Sequence, residues 1–141
     1  MTTPSKTDYP AGSRWWFFLT AFTTGGVVMA LEILGSRLLA PVFGTSLFVW
    51  GALIGVVLAA MSTGYAMGGW LADRRSPGIV VTILLLGAGM WTLLLAGAGQ
   101  PAVFTVSQWT ADPRLGPCLA ASVLLAVPAF CLSGVLPALL R

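Results

Sequence analysis

Glu32 is the residue whose type and position promise chemistry. It lies within WWFFLTAFTTGGVVMALEILGSRLL, residues 15–39, an apolar run long enough to cross a bilayer. A carboxylate at that depth is costly unless it faces a bundle interior, a water-filled path or a cation. Desolvation disfavours its charged form, so Glu32 is a candidate to bind a small cation or exchange a proton. Ser36 and Arg37 follow on the same run as further candidate binding residues. Arg37 is five residues on, about 140° around a straight helix, so the i+3 and i+4 pairings are unavailable. A bend at Gly35-Ser36 would permit a local pair, and Arg37 could otherwise extend to the interface. Three roles for Glu32 stay open: a structural pair with Arg37 or another polar group, a substrate or proton site, and placement at headgroup level.

Composition removes most alternatives. The chain is 57% hydrophobic and 8% charged, with mean hydropathy +0.93, whereas a soluble domain carries about a quarter charged residues. There is no His, and no cluster of carboxylates or thiols, so no metal or other cofactor is expected. Cys118 and Cys131 fall in one apolar run, about 20 Å apart on a helix, too far to be bridged. No nucleophile–base constellation points to an enzyme. The net charge of +3 reads as topology signal, because most basic residues flank apolar runs. No nucleic-acid partner is expected.

Four spans are predicted, over 15–39, 47–71, 79–98 and 118–140, after a disordered polar tail at 1–14. Pro41 and Gly44 close the first span in a tight turn. A charged turn with Pro77 and Gly78 separates the second from the third, and a loop over 100–117 precedes the fourth. The expected architecture is an all-α integral membrane domain packed as two antiparallel hairpins. Lys6, Arg14, Arg74, Arg75 and Arg141 share one side if the termini share a compartment. Arg114 and Arg37 take the other, which puts both termini in the cytoplasm. Trp15, Trp16, Trp50, Trp70, Trp91 and Trp109 mostly lie near predicted span ends and read as an interfacial belt. On the second span Gly51, Gly55, Ala59 and Thr63 recur every fourth residue, with Gly64 and Gly68 beside them, as a helix-packing groove.

Gly69-x-Leu71-Ala72-Asp73-Arg74 looks like the cytoplasmic loop motif of major facilitator transporters, although Arg75-Ser76-Pro77 departs from its continuation. The resemblance implies that Gly69, Asp73 and Arg74 latch the inner face in one conformational state. More specific is Leu31-Glu32, then Arg37-Leu38-Leu39-Ala40-Pro41-x-Phe43-Gly44-Thr45-Ser46 and Val49-Trp50-Gly51. Together with Ser62-x-Gly64-Tyr65-x-x-Gly68-Gly69, these resemble the N-terminal membrane region of bacterial fused transporter/spermidine-synthase-like proteins. The likeness covers roughly residues 28–76 and, weakly, the fourth span. It implies a major-facilitator-like half-bundle in the bacterial inner membrane, and polyamines or other small cations as the substrate class.

Members of that family typically continue into further helices and a soluble synthase-like domain. This chain carries no Gly-rich nucleotide-binding turn, so synthase activity is not expected of it. Either a short member or an N-terminal piece of a longer protein is expected. Two functions follow: a transport-type protein that assembles as a homo-oligomer around Glu32, or a non-transporting scaffold or anchor for a partner membrane protein.

Overall fold

A computed structural model describes residues 11–110, 112 and 114–140. The expected tail falls outside them up to residue 10; from Ala11 onward the chain is already helical. The described residues form α1 (Ala11–Phe43), α2 (Leu47–Ala72), α3 (Pro77–Trp109), α4 (Leu115–Ala121) and α5 (Val127–Leu139), with a π-helical turn over Ser122–Ala126 joining the last two. No strand forms among them. Four stretches are long and apolar enough to cross a membrane: Phe18–Phe43, Leu47–Ala72, Pro77–Trp109 and Leu115–Leu139. The chain is therefore an all-helical, multi-pass membrane protein.

Helix ends differ from the sequence expectation where proline was taken as a stop. Pro41 lies inside α1, and the helix ends only at Gly44, whose φ of 75° is left-handed. Glycine tolerates that conformation, and its N–H donates to the Ala40 carbonyl at 3.0 Å. Ser46 then caps α2 by accepting from the Val49 N–H. Pro101 likewise lies inside α3, which runs on to Trp109, so the loop expected over 100–117 shrinks to residues 110–114. A proline removes one backbone hydrogen bond, but in lipid an unwound segment would expose several, so the helix is kept. Pro77 and Pro117 sit in first turns, where a missing N–H has no partner to lose.

Hydroxyl groups are satisfied in the same economical way. Thr20, Thr24, Thr63, Thr92 and Thr105 donate to carbonyls three or four residues back on their own helices. No buried side-chain polar atom among the described residues lacks a partner.

The fourth span is the centre of the bundle. Of its most apolar window 56% is buried, against 22%, 28% and 17% for the first three. Its broadest interface is with α2, and the next with α3. Leu124, Leu125, Ala129 and Leu132 form the main core with Leu39, Leu53, Val57 and Val103, and Val135 packs in a second cluster with Ala72, Val80, Leu84 and Ala138. Chain-adjacent α2 and α3 touch little.

Two glycines set how closely α2 approaches α5. A methyl group at Gly64 would land on Ser133 and the Phe130 carbonyl, and one at Gly68 on the backbone of Gly134. The remaining small residues of the expected groove do not share this role. Gly51, Gly55, Ala59 and Thr63 are exposed, and nothing lies within 4 Å of a methyl group built at Gly51 or Gly55.

Enlarging Gly68 to Val should therefore separate the two helices and cost about 1–3 kcal/mol. Gly55→Val should leave the monomer's stability within about 0.5 kcal/mol. Steric trapping or thermal aggregation in mild detergent distinguishes the two variants.

Candidate intramembrane charge site

On α1 the buried positions Val28, Leu31, Gly35 and Leu39 recur every three or four residues and form the seam against the bundle. Glu32 flanks that seam and is half-buried. Within Phe18–Phe43 it lies about 2 Å from the midpoint along the axis. Arg37 is exposed, about 7.5 Å nearer the Gly44 end and on the far side of the helix.

Neither side chain has a hydrogen bond or ion pair among the described residues. α1 is continuous through Gly35 and Ser36, so the bend that would let Glu32 and Arg37 meet within one chain is not formed. Ser36 donates its hydroxyl to the Ile33 carbonyl at 2.8 Å, which spends its proton on its own helix. The three candidate binding residues are thus neighbours in sequence without being a joined site.

Gly35 fixes the depth of Glu32 against α2. A methyl group there would lie 3.0 Å from Leu125 and 3.3 Å from Leu53, so Gly35 and Leu53 are level. The helices are antiparallel, and three residues along α1 is about 4.5 Å. Glu32 is therefore level with Val56, and the exposed Gly55 is at nearly the same depth.

Cavities are small. A pocket of about 50 Å³ between the first, second and fourth spans is lined by residues including Thr24, Val28, Met61, Tyr65, Leu132 and Ser133. A shallower apolar groove of about 270 Å³ lies along Ala60, Thr63, Ala126, Val127 and Phe130. Glu32 lines neither. No group of three or more His, Cys, Asp or Glu side chains gathers among the described residues.

At the opposite end, the expected latch residues sit on the turn leaving α2. Asp73 ends the helix, its N–H donating to the Gly69 carbonyl at 3.2 Å, and it is engaged in a further interaction. Arg74 stacks its guanidinium over the Trp70 ring, 4.0 Å from the centroid. Gly69 faces Pro137 of α5, whose Cβ is 3.8 Å from a methyl group built there. Trp70 lies on the last turn of α2, four residues before Arg74, which folds back over it from the turn. The Gly44 end has a matching contact, Arg114 over Phe48 at 5.2 Å.

Trp91 is not an interfacial residue. It lies midway along α3, and its indole N–H donates to the Val123 carbonyl at 3.2 Å. In a π turn a carbonyl is served by the N–H five residues on. For Val123 that residue is Pro128, which has none. The indole supplies the missing donor across the helix interface. Sequence alone held half of this signal, a proline inside a span, but not which neighbour would reach it.

Trp91→Phe should therefore cost about 0.6–1.5 kcal/mol in the native background. In Pro128→Ala, where a backbone N–H is restored, the same change should cost close to nothing. A double-mutant cycle in bicelles reads the difference.

Comparison with known protein families, curated proteins and solved structures gives no match.

Proposed function

We propose that the chain is a small transport-type protein of the bacterial inner membrane that works as an assembly, with Glu32 as the carboxylate that binds a small cation or exchanges a proton. The observation that carries this is an unpartnered, half-buried carboxylate near the middle of an apolar helix. Every hydroxyl described above is spent on its own helix, so Glu32 stands apart as polar capacity kept available at depth. The centre of the bundle is filled by the fourth span. A path past Glu32 would run along the edge of α1, where a second helix bundle completes it.

Polyamines are the proposed substrate class because of the sequence likeness around residues 28–76; the carboxylate suits their ammonium groups. Gly69, Asp73 and Arg74 act as the inner latch in this reading, within two antiparallel hairpins of a major-facilitator-like half-bundle. Both termini are cytoplasmic, following Arg74 and Arg75 at one end and Arg114 at the other. The chain has no catalytic role of its own.

A scaffold or anchor function is the second reading. It is favoured by the exposed face Gly51, Gly55, Ala59 and Thr63, which suits a partner helix without requiring any flux.

In proteoliposomes, Glu32→Gln should lower uptake of a radiolabelled polyamine about tenfold or more while the protein remains folded, since a charge-assisted contact is lost. Unchanged uptake would remove the carboxylate from the mechanism, and no uptake by the native chain would favour the scaffold. A reporter fused to the C-terminus should be active only on the cytoplasmic side.

A further inference from the structure

The spacing of the two unpartnered charges on α1 identifies what covers them. Glu32 and Arg37 are five residues apart, on opposite flanks of one exposed face, so one helix cannot bring them together. Five is, however, the separation between a g position and the e position of the following heptad. Those are the positions that pair across a parallel two-stranded coil.

Placing Glu32 at g makes the seam fall on Leu19, Phe22, Gly26, Met29, Ile33, Ser36 and Ala40 at successive a and d positions. From Leu19 to Ile33 this seam is exposed in the monomer. Leu19, Phe22, Met29 and Ile33 are 57%, 81%, 64% and 57% exposed. Gly26 is exposed, with nothing within 4 Å of a methyl group built on it, and Ser36 and Ala40 are half-buried. Of the residues that pack α1 into its own bundle, Val28, Leu31, Gly35, Leu38 and Val42 fall on c and f, the opposite side, and Leu39 falls on g, the flank it shares with Glu32. One helix thus presents an inward face and, from Leu19 to Ile33, an outward one, the two meeting along the g flank at Glu32 and Leu39.

We propose that α1 is the interface of a parallel homodimer, in which each Glu32 pairs with Arg37 of the second copy. A two-fold axis along the membrane normal places the g flank of one helix beside the e flank of the other, so both pairs form at once. Gly26, Ser36 and Ala40 let the two backbones approach closely. No other described basic side chain lies within the apolar stretch of α1. The self-complementary charge pattern therefore favours a second copy over an unrelated helix. The inference deepens the proposed function, since the second copy supplies the resident counter-charge that a cationic substrate would displace. It is read without any flux measurement, so the two can fail separately.

The test is oxidative cross-linking in native membranes, on the full chain with Cys118→Ala and Cys131→Ala. Single cysteines at Met29 and Ile33, on the seam, should give a species of twice the chain mass. Cysteines at Val27 and Leu34, exposed but off the seam, should not. Glu32→Arg or Arg37→Glu alone should reduce cross-linking through Ile33→Cys roughly fivefold or more, because each places like charges opposite one another. Co-expressing the two variants, one carrying two cations and the other two carboxylates, should restore it as a heterodimer. Rescue in trans also shows that both variants insert and fold. Equal cross-linking on and off the seam, adducts only to another polypeptide, or no rescue by co-expression would each overturn the homodimer. The native-charge cysteine series decides the matter if the charge variants fail to accumulate.

Discussion

The contact between Gly64 and Gly68 of α2 and Phe130, Ser133 and Gly134 of α5 governs the arrangement of the rest. Lipid offers helices no hydrophobic incentive to associate, so close backbone approach and dispersion must supply it. Side-chain-free positions at Gly64 and Gly68 let the backbones meet where a Cβ would collide, and a Cβ at Gly134 would come within 3.1 Å of the Gly64 carbonyl. That approach draws the fourth span into the middle of the bundle. α1 and α3 then pack around it, with large apolar side chains left facing outward.

A fixed centre makes the irregularity above it meaningful. Pro128 interrupts the ladder within the most buried helix of the molecule, and the π turn absorbs the extra residue instead of ending the span. Trp91 then donates to the Val123 carbonyl, whose partner five residues on is Pro128. α3 is held to the fourth span by this polar contact as well as by packing. The aromatic–cation contacts of Arg74 with Trp70 and Arg114 with Phe48 tie down the two ends.

Much of this was legible in the sequence. The four apolar runs, the stop at Gly44 and the charged turn after Ala72 all follow from local chemistry, and local chemistry was enough. Pro41 and Pro101 were misleading because a proline carries the same local signal in a loop and in a lipid-embedded helix. Only the surrounding solvent decides between them. The small residues of α2 could be seen, but their division into a used pair, Gly64 and Gly68, and an unused set depends on which helix sits opposite. Glu32 was visible as an anomaly from its type and depth. That Arg37 lies out of its reach followed from spacing, but the continuity of α1 through Gly35 and Ser36 did not.

The central place of the fourth span also bears on time. Synthesis delivers α1, α2 and α3 to the bilayer first, and for that interval the surfaces they will bury have no occupant. Gly64 and Gly68 wait beside lipid chains, which fill a notch poorly, and Trp91 has no carbonyl to meet. Little joins α2 to α3 directly, so among the three early helices α1 carries most of the contacts. The bundle acquires its shape only when the last helix threads between them. Until then, the faces of α1, α2 and α3 that meet the fourth span in the finished bundle are open to lipid.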